Sequence, residues 1–184
     1  MLNRPHIFGK LFDSPAPWSI LGMDMSLDNL QRAWELLQEA YQAQMEGDYA
    51  RAVELYENSI ETQPTAEAHT FLGWTYHFQG KLDEAIEQCK KAIELDPEFG
   101  NPYNDIGAYL IEMRRYDEAI SWLERAVEAK RYEPRHFPHF NLGRAFLAKE
   151  MYGKARACFQ TVLRIEPCYS LAREALDKLR RLVN

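Results

Sequence analysis

Residues 66–97 read AEAHTFLGWTYHFQGKLDEAIEQCKKAIELDP. Leu72, Tyr76, Cys89, Ala92 and Ile93 fall three and four apart within their runs, the spacing of an apolar helical stripe. Gly80-Lys81 interrupts the two runs with a turn signal. Asp96-Pro97 ends the second run, because proline disfavours helix in the residue before it. The stretch therefore predicts a helix, a tight turn and a second helix. Small residues at Gly73 and Ala85 let the two backbones approach closely.

The same unit recurs along the chain. Leu72-Gly73, Ile106-Gly107 and Leu142-Gly143 are each followed, twelve residues after the glycine, by Ala85, Ala119 and Ala155. An earlier copy has Ala40 in the glycine place and Ala52 twelve residues on. Successive alanines from Ala52 are separated by 33, 34 and 36 residues. Tyr49, Leu82, Tyr116 and Tyr152 precede them by three, and Tyr56, Cys89, Leu123 and Phe159 follow by four. Pro64, Pro97 and Pro167 close three of the units, whereas the third has Arg131 there. Gly47-Asp48 and Gly80-Lys81 make two of the internal turns; Arg114-Arg115 and Glu150-Met151 occupy the other two by alignment alone.

This pattern resembles the tetratricopeptide repeat family, whose period is about 34 residues. The resemblance implies an all-α fold, an α-solenoid of four helix–turn–helix repeats near 33–64, 66–97, 100–131 and 136–167. First helices are predicted at 28–45, 66–79, 100–113 and 137–149, and second helices at 48–62, 82–95, 116–130 and 152–165. Residues 168–184 carry Leu171, Ala172, Ala175, Leu176, Leu179 and Leu182 on one face, an amphipathic helix suited to capping the last repeat. Residues 1–25 lack a helical period but hold Ile7, Phe8, Leu11, Phe12, Trp18, Ile20 and Leu21. That content suits a segment covering the open end of the first repeat or, alternatively, one lying in the groove or docking on a partner.

A chain of 184 residues with 46% hydrophobic and 27% charged residues fits one helical domain over 26–167 and its cap. The net charge of −6 argues against nucleic acid as a partner, since phosphate binding needs an extended basic surface. Acidic groups on second helices, such as Asp83, Glu84 and Glu87, read as a solvated convex face. No apolar run of about 18 residues predicts a membrane span. Prolines and Asp13 break any signal-peptide core, and Cys89, Cys158 and Cys168 show no paired spacing, so a cytoplasmic chain with reduced thiols is expected.

In proteins similar to this one, first helices line a concave surface. The stripe beside the core stripe supplies the candidate groove: Leu37 and Tyr41, then Trp74, His77 and Phe78, then Asn104, then Phe140 and Arg144. Aromatic rings and arginine are enriched in binding hot spots, and Asn104 offers a donor and an acceptor to a peptide bond. Asn101 before Pro102 reads instead as a helix N-cap. The two-carboxylate clamp of some related co-chaperones needs Lys and Asn, then Asn, then Lys and Arg. The matching places hold Leu37, Tyr41, Phe71, Asn101 and Asp105, which disfavours the clamp. An extended or helical segment with apolar anchors suits the groove better.

No phosphate loop, nucleophile elbow or zinc-protease motif is present, so no catalytic residue, cofactor or metal is expected. His136 and His139 are too few ligands for a site. The expected function is a non-catalytic scaffold or adaptor holding a peptide or protein segment, acting as a monomer or weak homo-oligomer. The alternatives are a self-associating assembly protein and a chaperone for an export or assembly client.

Overall fold

A computed structural model describes residues 27–183. Residues 1–26, including the segment expected to cover the first repeat or the groove, lie outside the described residues. Nine helices follow one another among the described residues. They are α1 (Leu27–Glu46), α2 (Tyr49–Thr62), α3 (Ala66–Phe78), α4 (Leu82–Leu95), α5 (Gly100–Glu112), α6 (Tyr116–Glu128), α7 (His136–Ala148), α8 (Tyr152–Ile165) and α9 (Ser170–Val183). The pairs α1/α2, α3/α4, α5/α6 and α7/α8 pack most extensively, and each pair packs on the next, which is the stacking of a solenoid. The odd-numbered helices α1, α3, α5 and α7 form one layer and their partners the other, with α9 against α8.

The repeated small and apolar positions make the core. Ala40, Ala52, Tyr56, Ala85, Cys89, Ala119, Leu123, Ala155 and Val162 are fully buried. The glycines are needed where a larger residue opposes them. A Cβ at Gly107 would stand 2.4 Å from Leu123 Cγ, and one at Gly143 would stand 2.5 Å from Phe159 Cε1. Opposite Gly73 the space is only slightly tight, with Ala85 O at 3.1 Å and Cys89 Sγ at 3.3 Å. On α9, Ala172 and Leu179 are completely buried, whereas Leu171 and Leu182 remain 43% and 53% exposed. The expected apolar face is thus only partly covered.

Three local features differ from the sequence reading. The turns at Arg114 and Glu150 adopt φ of 60° and 59°, close to Gly47 at 84° and Gly80 at 77°. The same left-handed turn is therefore made in all four repeats, twice without glycine. Second, α5 starts at Gly100, with Phe99 as its N-cap, so Asn101 is not the cap and lies inside the first turn. The cause is a clamp from the third repeat's end: Gly100 N–H donates to Arg131 O (2.9 Å), and Arg131 N–H donates to Glu98 O (3.0 Å). Phe99 and Arg131 thereby form an isolated parallel bridge. Third, this bond explains Arg131 in the proline place, since proline has no N–H to give. The Arg131 guanidinium also caps the Phe99 ring at 4.1 Å and pairs with Glu67 (2.8 Å) and Asp96 (2.5 Å).

Candidate functional site

The inner layer is the natural place for a ligand, because helix pairs stacked with a small rotation leave it concave. Its floor is polar and connected. Trp74 on α3 donates its indole N–H to the Asp105 carboxylate on α5. Asn104 Nδ2 donates to the other oxygen of Asp105 (3.2 Å), and Asn141 Nδ2 on α7 donates to Asn104 Oδ1 (2.9 Å). Arg144 donates to Asn141 Oδ1 at 3.0 Å and is half-buried. A related link joins the first two units: buried Gln44 Oε1 accepts from the Tyr56 and Thr75 hydroxyls, each at 2.9 Å. Sequence reasoning found Trp74, Asn104 and Arg144 but passed over Asp105 as merely the wrong sign for a clamp. The available signal was an acidic side chain at a register position flanked by amide and indole donors.

These bonds change the expected character of the stripe. Leu37 is 3% exposed within the core, Trp74 7% and Asn104 1%. They are floor residues held by packing and hydrogen bonds, not open anchors as the stripe suggested. Trp74 leans on Phe71 with ring centroids 5.9 Å apart, and Tyr41 lies 6.2 Å from the same ring, half-buried. Phe140 turns toward the cap, with its ring edge-on to Tyr169 at 5.1 Å and 5.7 Å from Phe159. Because α7 is the last inner helix, that face meets the capping segment.

The more accessible groups lie along the C-terminal ends of the inner helices. Phe78 is 53% exposed although it stacks on Tyr49, and Met45 at the equivalent place on α1 is 57% exposed. His77 stacks on Tyr109 of α5 at 4.8 Å and points Nε2 at Glu112, 3.1 Å away. Met45, which is not among the eight candidate residues, shares this rim with the candidate Phe78.

Other titratable groups serve packing. Burial lowers the His69 pKa, partly opposed by its hydrogen bond with Gln88, and burial also lowers those of His136 and His139. His136 sits between Phe137 and Tyr169, with ring centroids at 4.3 and 4.8 Å. Burial raises the Cys158 thiol pKa, which favours the unreactive protonated form. Among the described residues no three His, Cys, Asp or Glu side chains gather to hold a metal ion. No helix among them is long and apolar enough to cross a membrane.

Family profiles described as tetratricopeptide repeat match residues 33–66, 66–99 and 99–166. The chain belongs to the tetratricopeptide repeat family. Among curated relatives, it is 33% identical over 103 residues to a small glutamine-rich tetratricopeptide repeat-containing protein 2 from Mycosarcoma maydis, covering 55% of this chain and 29% of that protein. It is 26% identical over 147 residues to the photosystem I assembly protein Ycf3 of Prochlorococcus marinus, covering 74% and 84% respectively. Among solved structures, Pseudomonas aeruginosa PilF superposes with a TM-score of 0.78 at 23% identity, covering 83% of this chain and 69% of that one. The chain thus spans less than a third of the first of these relatives and most of the second.

Proposed function

We propose that the protein is a non-catalytic interaction scaffold whose inner layer holds a segment of another protein. The observation that supports this best is the pairing of open apolar groups at one end with a half-buried arginine at the other. Met45 and Phe78 offer apolar anchorage on α1 and α3, and Arg144 offers guanidinium donors on α7. Neighbouring helices lie about 8–10 Å apart, so α1 to α7 spans about 24–30 Å. An extended segment of roughly seven to nine residues covers that distance. It would place apolar side chains on Met45 and Phe78 and an acidic side chain or carbonyl at Arg144.

Affinity capture from source-cell lysate tests this reading, comparing the wild-type chain with Phe78→Glu/Arg144→Glu. Both positions are accessible enough to change without opening the core. A protein recovered by wild type and lost from the folded variant supports the inner layer as the site. Equal recovery by both moves binding to another surface. A second reading, an assembly factor for a multi-subunit complex, has one observation in its favour: the match to Ycf3, an assembly protein, runs over most of both chains.

A further inference from the structure

The capping helix packs one side on α8 and leaves an apolar line in water. Ala172 and Leu179 of α9 are completely buried, and the main packing of α9 is with α8. Leu171 and Leu182 are exposed among the described residues. At about 100° per residue, the step from Leu171 to Leu182 completes three turns to within about 20°, so the two stand on one line about 16 Å apart. Partly buried Ala175 and exposed Lys178 lie on the same line between them. Glu174 and Arg181, both exposed, sit on one flank of that line, about 60–80° round from Leu171. Asp177 and Arg180 pair with each other at 3.1 Å farther round the helix. The flank beside the leucines thus begins acidic and ends basic.

We propose that this line is the contact between two copies of the chain, in which α9 of one copy lies antiparallel to α9 of the other about a twofold axis. The proposal goes beyond the scaffold reading and does not rest on it, since Met45, Phe78 and Arg144 take no part. The charge pattern selects both the occupant and the direction. In an antiparallel pair centred between Leu176 and Asp177, Leu171 of each copy meets Leu182 of the other. The twofold axis brings the same flank of both helices together. Glu174 of one copy then comes level, to within about 1.5 Å, with Lys178 of the other, and within about 3 Å with Arg181. A parallel pair would instead set Glu174 against Glu174 and Lys178 against Lys178, like charges that oppose association. A surface complementary to itself in this way is what a twofold interface requires. The leucines supply the apolar burial, and the rim charges fix direction more than strength. A helix of 14 residues is about 21 Å long, too short to bury the roughly 1,200 Å² of a stable complex. The dimer is therefore a weak one, with an expected dissociation constant of about 10–500 µM. It would present two inner layers and could hold two segments at once.

Sedimentation equilibrium on the full chain, from about 5 µM to 1 mM, tests the proposal, with helicity of every variant checked by circular dichroism. The expected result is a mass rising with concentration from one chain toward two. Leu171→Glu/Leu182→Glu should weaken the dimer at least about tenfold and stay folded, because both side chains are already exposed. Glu174→Lys alone and Lys178→Glu/Arg181→Glu alone should each associate less than wild type, since each sets like charges together. Their equimolar mixture should associate at least about tenfold more tightly than either alone, because opposite charges then meet across the contact. A wild-type chain that stays monomeric to about 1 mM overturns the proposal. So does a Leu171→Glu/Leu182→Glu variant that dimerises like wild type, or a mixture no tighter than its components. If the leucine variant fails to fold, the charge mixture decides alone.

Discussion

Replacing Gly107 with alanine gives the sharpest test of the packing. In an ordinary helix the change is favourable by about 1 kcal/mol, because glycine loses more backbone freedom on folding. Here the new Cβ would stand 2.4 Å from Leu123 Cγ and 2.6 Å from Cδ2. Carbon atoms rest at about 3.5–4.0 Å, so the overlap is about 1 Å or more. Leu123 is completely buried and has no solvent side to retreat into. A cost near the upper end of overpacking, about 3 kcal/mol, is therefore expected. The net loss is about 2 kcal/mol, a fall of roughly 4–8 °C in melting temperature for a chain of this size. Gly153→Ala is the control. It lies at the second position of α8, and its Cβ would meet nothing within 4 Å. The same chemical change there gains up to about 1 kcal/mol. Thermal melts by circular dichroism, run side by side, decide the matter. If Gly107→Ala melts at or above the wild-type temperature, the close approach of α5 and α6 is not what selects glycine.

Arg114→Gly and Glu150→Gly relieve a left-handed backbone at φ near 60°, and each should gain up to about 1 kcal/mol in chemical denaturation; a loss at both would contradict the turn geometry. Arg131→Ala keeps the N–H bonded to Glu98 O and forfeits only partly exposed ion pairs, whereas Arg131→Pro removes that donor. The proline variant should therefore be less stable than the alanine variant by at least about 1 kcal/mol, and equality would show the clamp on α5 to be idle. Asn141→Leu takes the donor from buried Asn104 Oδ1 and should cost about 1–3 kcal/mol in urea unfolding, with a negligible change arguing against the polar floor. His69, His136 and His139 have folded pKa values below the ordinary 6.5, so the unfolded chain binds protons more readily. Their contribution to stability is full above about pH 6.5 and is lost as pH falls toward the folded values. His69→Gln should flatten the fall in melting temperature between pH 7 and 5.5; an unchanged slope removes His69 from that account.

The periodic marks determine the helices because each repeat must bury the same face against the same neighbours. Residues 82–95 and 152–165 are helical as the repeat resemblance implies, and the others end within two residues of expectation. Glycine at 73, 107 and 143 is readable for the same reason, since one side chain must make room for the opposing helix. What the spacing does not carry is any interaction between units. Arg131 reads as a lapsed proline until its N–H is seen bonded to Glu98, a partner on the preceding loop. Left-handed Arg114 and Glu150 have no composition signal, because the stacked helices on either side impose a conformation that glycine adopts elsewhere. The candidate stripe is legible as a register, but whether a position is floor or rim depends on the neighbouring helix. Trp74, Asn104 and Asp105 share a hydrogen-bonded floor because α3 and α5 lie side by side, while Phe140 meets Tyr169 because the solenoid ends there. The amino-acid sequence by itself therefore decides the repeated unit, through forces acting within about 34 residues. The tertiary structure decides which groups of that unit remain open to a partner, because exposure is settled by residues from adjacent units.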